Sequence, residues 1–155
     1  MKLSLLVSPE AKAAYFKDYL AVAGRELIQV TGLTFFEVRQ MGALDFIELE
    51  AEEPQLEQLA RLSFVQGIFR QENKLLSPLA TLPAFQLHED FVFGAKYRGK
   101  TNERLTQLLI NVGLSVADAR QGDQIKLLDP MCGRGTSLLW GMRYGLNGRG
   151  IEQDP

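Results

Sequence analysis

The segment from Ile125 to Glu152 constrains this chain more than any other. Ile125-Lys126-Leu127-Leu128-Asp129 is a short, largely apolar run of strand length. Pro130-Met131-Cys132-Gly133-Arg134-Gly135 is a turn with two closely spaced glycines, and Thr136 to Tyr144 reads as a helix with Gly145 near its C-terminal cap. Gly148-Arg149-Gly150-Ile151-Glu152 opens a second strand that ends in an acid. Strand, glycine loop, helix, strand is the order of the first βαβ unit of a parallel, doubly wound α/β sheet. Ligands of such sheets lie at the carboxyl ends of the strands, where free N–H groups of the following helix converge.

The residue types narrow the ligand. Gly133 and Gly135 remove side chains where backbone must approach closely. Glu152 is placed to accept hydrogen bonds from the vicinal hydroxyls of a ribose. The dinucleotide fingerprint G-x-G-x-x-G matches only in part, because Leu138 holds its third glycine position, and the phosphate loop G-x-x-x-x-G-K-[ST] is absent. Asp129 at the start of the loop would repel a pyrophosphate but can receive an ammonium group. S-adenosylmethionine (SAM) carries an ammonium and a ribose and no phosphate, so the charge pattern favours SAM over NAD.

The rest of the chain supplies the setting. Of 155 residues, 46% are hydrophobic and 23% charged, which excludes a disordered polar chain. The net charge of −2 excludes an overall basic nucleic-acid coat. One cysteine precludes an internal disulfide and fits a reducing cytoplasm. No apolar run has the length of a bilayer span, so no membrane partner is expected. Residues 1–85 carry a net charge of −3 and residues 86–155 a net charge of +1.

We expect three segments: a small α+β domain over 1–72, a linker over 73–90 containing Pro78 and Pro83, and an α/β domain over 91–155. In the first, Leu3–Val7 reads as a strand. A helix follows, capped by Ser8 and opened by Pro9, with Phe16 on its apolar stripe and Gly24 as its stop. Strands are expected at Leu27–Val30, Thr34–Gln40 and Leu44–Ala51, the last two joined by a hairpin at Met41-Gly42-Ala43. A second helix begins at Pro54 and a strand covers Phe64–Arg70, giving helices on one face of a sheet. Phe91–Gly94 reads as a short strand and turn, and Thr101–Val112 as a helix ended by Gly113.

Asp129-Pro130-Met131-Cys132-Gly133-Arg134-Gly135-Thr136 resembles the DP-x-C-G-x-G-T motif of the RNA methylase family of SAM-dependent methyltransferases. That family includes the THUMP-containing enzymes that methylate the exocyclic amine of guanine in tRNA and rRNA. Lys100–Leu105 resembles the segment these enzymes place before that motif. Gly150-Ile151-Glu152-Gln153-Asp154-Pro155 resembles their second strand, G-x-D-x-D-P, with Glu for the usual Asp. The resemblance covers about residues 91–155; residues 1–85 carry no THUMP signature.

The resemblance implies the opening of a class I, Rossmann-like methyltransferase sheet with SAM as cofactor and RNA as partner. Asp129, Pro130, Met131, Cys132, Gly133, Gly135 and Thr136 would surround the amino-acid end of SAM, Glu152 would hold its ribose, and Thr101 and Asn102 would close the methionine side. Arg134 departs from the serine often found at its position. The family's catalytic Asn/Asp-Pro-Pro-aromatic motif does not occur, so no catalytic residue is assigned. We therefore expect an amino-terminal piece of a larger enzyme, inactive alone, whose open strand edges favour self-association.

Other readings stay open: a DNA amino-methyltransferase, an NAD-dependent oxidoreductase, or a non-catalytic binding module with a vestigial SAM loop. Plainer roles compete at single residues. Cys132 is a packing residue rather than a nucleophile, since the only histidine, His88, is distant in sequence. No metal site is expected. Lys96, Tyr97, Arg98, Lys100 and Arg104 form either an RNA-contacting patch or a solvated helix entry. The acidic run Glu48, Glu50, Glu52 and Glu53 reads as a solvated strand end, and Trp140 as core packing.

Overall fold

A computed structural model of the chain describes residues 1–80, 85–94, 96–117 and 124–153. The protein is mixed α/β and divides into two compact units, Met1–Pro83 and Ala84–Pro155.

The first unit contains β1 (Lys2–Val7), α1 (Pro9–Tyr15), α2 (Tyr19–Thr31), β2 (Phe36–Met41), β3 (Leu44–Glu50), α3 (Leu56–Ala60), β4 (Val65–Glu72) and β5 (Leu75–Leu79). All strand pairs are antiparallel, in the order β2-β3-β1-β4-β5. The β-α-β-β-α-β succession through β4, with β1 between β3 and β4, is the split βαβ arrangement. Leu3, Leu5, Ile47 and Ile68 occupy alternating positions on neighbouring strands and are buried, as are Leu27 and Leu59 of the helices.

Four sequence expectations change here. Residues 27–30 are helix, not strand, because Gly24 does not stop α2. An added Cβ at Gly24 would stand 2.7 Å from the Phe36 ring, so this glycine admits β2 rather than ending a helix. The helix ends instead at Gly32, whose left-handed backbone lets its N–H reach the Ile28 carbonyl at 2.9 Å. The single first helix is two, separated by a 3₁₀ turn at Phe16–Asp18, and Phe16 is exposed rather than part of the core. The expected linker 73–90 contains β5, which is hydrogen-bonded to β4, with Phe69 opposite Pro78. Proline is tolerated there because β5 is an edge strand. Pro83 lies outside the described residues.

The second unit contains α4 (Asp90–Phe93), α5 (Glu103–Val116), β6 (Lys126–Asp129), α6 (Thr136–Arg143) and β7 (Asn147–Gly150). β6 and β7 pair in parallel, Lys126 opposite Asn147 through Asp129 opposite Gly150, with α6 as the connection. The core is Val92, Ile110 and Trp140. Phe85, Phe93 and Tyr144 surround the Trp140 ring edge-on or tilted, at centroid distances of 6.3, 5.7 and 6.0 Å. Residues 91–93, expected as strand, are the helix α4; Val92 is its buried residue, and its carbonyl accepts from Lys100 Nζ at 2.8 Å. Gly113 does not end α5, which continues to Val116. Among the described residues, no helix is long and apolar enough to cross a membrane.

Candidate functional site

Asp129 ends β6 and organises the loop that follows. Its Oδ1 accepts the Met131 N–H at 3.0 Å and its Oδ2 accepts the Ser137 hydroxyl, so one carboxylate ties the entry of the loop to the first turn of α6. The Asp129 carbonyl accepts the Ile151 N–H at 2.9 Å, and Cys132 N–H donates to the Ile151 carbonyl at 3.0 Å. The loop is thereby stitched to the chain leaving β7. Gly135 N–H closes the turn onto the Cys132 carbonyl at 2.7 Å. Gly133 and Gly135 have φ of +51° and +83°, which L side chains rarely adopt, and Gly135 is the N-cap of α6.

The expected second strand stops at Gly150, and Glu152 meets the same loop from the segment that leaves β7. Its Oε2 accepts the Gly133 N–H at 2.7 Å, and its Oε1 accepts the Gln153 N–H at 2.8 Å. Two carboxylates 23 positions apart in sequence thus flank one glycine loop at the carboxyl ends of adjacent parallel strands.

The other expected residues distribute around this centre. Pro130 and Met131 are exposed and Thr136 is buried. Cys132 packs against β7: an added Cβ at Gly150 would stand 2.5 Å from its Sγ. Leu138 fills the same gap, with its Cδ1 at 2.7 Å from that position. The close approach of helix and strand, which a third glycine in the loop would serve, is here provided by glycine on the strand. Asn102 is the N-cap of α5, its Oδ1 accepting the Leu105 N–H at 3.0 Å. Thr101 is exposed beside it.

Two features escaped the sequence. Ser137 holds Asp129, and nothing in its position eight residues on signals that role. The Arg134 guanidinium lies over the Tyr97 ring, 5.1 Å from the centroid, and joins the loop to the segment before α5. The basic cluster also divides. Lys100 pairs with Glu103 at 2.8 Å, both side chains largely covered, while Arg104 lies over Phe93 and bonds Gln107. Lys96 and Arg98 remain exposed. Burial, the largest single effect, pushes the Glu103 carboxyl upward, but the Lys100 hydrogen bond, a backbone hydrogen bond and the charges of Lys100 and Lys96 together outweigh it, and the net direction is down.

A mainly apolar cleft of about 340 Å³ runs beside α5 and β6 and ends at the loop, lined by Thr106, Ile110, Leu127, Asp129, Pro130 and Ser137 among others. Among the described residues, no three His, Cys, Asp or Glu side chains are grouped to hold a metal ion. No protein-family model matches the chain, and comparison with curated proteins and with solved structures finds no match.

Proposed function

We propose that the second unit binds SAM and forms the opening of a Rossmann-like methyltransferase sheet. The reaction is methyl transfer to an exocyclic base amine of tRNA or rRNA, in the cytoplasm. The observation that carries this reading is the convergence of Asp129 and Glu152 on one glycine loop, the first accepting the Met131 N–H at 3.0 Å and the second the Gly133 N–H at 2.7 Å.

The donor set fits the cofactor. An ionised carboxylate offers about four lone-pair sites, so Asp129 can accept an ammonium while holding Met131 and Ser137. Glu152 can take a ribose hydroxyl by sharing or releasing the Gly133 N–H. When bound, SAM supplies an electrophilic sulfonium methyl. The residues of this chain orient it: Asp129 fixes the amino-acid end, Glu152 the ribose, and the positive-φ glycines keep the loop free of side chains at the point of approach. With no Asn/Asp-Pro-Pro-aromatic motif present, these groups bind and position. No residue here is assigned to orient the acceptor amine.

An NAD-binding reading shares the βαβ geometry but sets a pyrophosphate against Asp129. A DNA acceptor and a non-catalytic SAM module share the same cofactor site. Calorimetric titration of the protein with SAM and with NAD tests the reading. Binding of SAM without NAD is the expected result; NAD bound in preference to SAM ends the methyltransferase reading.

A further inference from the structure

The zwitterionic end of an amino acid needs an anion for its ammonium and a cation for its carboxylate. The loop supplies both charges. Asp129 is the anion, and five residues on, between the two positive-φ glycines, stands Arg134. Its side chain is exposed, and no carboxylate pairs with it among the described residues. The guanidinium instead lies over Tyr97, 5.1 Å from the ring centroid. Such an attraction uses the face of the ring and consumes no hydrogen bond, while the N–H donors of a guanidinium lie in its plane and suit a carboxylate bidentately. Tyr97 is itself anchored: its carbonyl accepts the Lys100 N–H at 3.2 Å, and Lys100 is tied to Val92 and Glu103. A guanidinium held over a ring, in the same loop as an aspartate, supplies the two charges that an α-amino acid needs.

We propose that Arg134, held by Tyr97, receives the α-carboxylate of the methionine moiety, which makes this pair the determinant that separates amino-acid-bearing adenosyl ligands from simpler ones. The assignment rests on the SAM reading of the site and adds to it a residue and a ligand group.

Titration of the wild type, Arg134→Ala, Arg134→Lys and Tyr97→Leu with SAM, S-adenosylhomocysteine and 5′-methylthioadenosine, which lacks the amino acid, tests it. Arg134→Ala weakens the first two ligands by about 10- to 100-fold, the range of a lost charge-assisted hydrogen bond, and leaves methylthioadenosine unchanged. Arg134→Lys, which keeps the charge without the fork, falls between. Tyr97→Leu moves in the direction of Arg134→Ala by a smaller factor. Equal weakening of all three ligands makes the pair a structural clasp only and overturns the assignment, as does an unaltered SAM affinity in Arg134→Ala. A wild type that binds SAM but responds in either way loses this inference alone. A wild type that binds none of the three loses the SAM reading and the inference with it.

Discussion

Replacing Gly150 with alanine tests whether the glycine loop is seated as described. The new Cβ would stand 2.5 Å from Cys132 Sγ, 2.9 Å from Cys132 Cβ and 2.7 Å from Leu138 Cδ1. Leu138 Cδ1 is the far end of a flexible side chain and can rotate away. Cys132 Sγ must turn about its side-chain bond, and Cys132 Cβ, 2.9 Å away, cannot move without the backbone, which is held by the Ile151 carbonyl at 3.0 Å and by Gly135 at 2.7 Å. Overpacking of this kind costs about 1–3 kcal/mol. For a unit of this size each kcal/mol lowers the melting temperature by about 4–8 °C. Trp140 is the single tryptophan, only 1% exposed and in the core of this unit, so its fluorescence reports unfolding here. Cys132→Ala removes the 2.5 Å contact and restores part of the loss in the double variant, with a coupling of at least about 0.5 kcal/mol. A Gly150→Ala midpoint equal to wild type, or strict additivity of the two changes, refutes the packing of loop on strand.

Four further outcomes are expected. Asp129→Ala abolishes SAM binding measured by calorimetry while Trp140 fluorescence still reports a folded unit; unchanged affinity means the loop has another role. Asn102→Ala removes the cap of α5 and costs about 0.5–2 kcal/mol in urea denaturation; a smaller loss shows that water replaces the cap. In the first unit, hydrogen bonds from Lys12 at 2.5 Å and Tyr19 at 2.6 Å hold the buried Asp45 carboxyl below its ordinary value against the opposing effect of burial. That stabilisation is complete above the unfolded pKa near 4 and is lost as pH falls through the lower folded value. Asp45→Asn therefore flattens the acid limb of the stability profile, by about 1 kcal/mol because Lys12 is one-third exposed; parallel profiles for the two proteins contradict this. Finally, β7 is exposed along its length and Leu128 of β6 is 62% exposed, so sedimentation at rising concentration shows self-association; a monomer throughout counts against it.

Much of the second unit was legible because its signals are local. Asp129, the paired glycines and the helix from Thr136 announce a strand-to-helix turn within eight residues. The first unit was less legible where a residue answers to a distant neighbour. Gly24 looks like a helix stop and is a seat for Phe36; Leu27–Val30 looks like a strand and is the last turns of α2. In the second unit, Phe91–Phe93 has strand composition, yet burial of Val92 beside Trp140 goes with a helix. Pro78 suggests a linker and sits in an edge strand whose ladder does not need its missing N–H.

The sequence by itself determined the order of elements in residues 125–152 and the kinds of groups they carry, because turn chemistry and caps act over a few neighbouring residues. Only the tertiary structure decided that Glu152 reaches Gly133, that Ser137 holds Asp129, that Cys132 fills the space over Gly150 and that Arg134 meets Tyr97. The first and third depend on parallel pairing of β6 and β7, the second on how α6 folds back over the end of β6, and the last on the fold of the segment before α5. Each is set by how the elements pack together, which the turn and cap signals of the sequence do not carry.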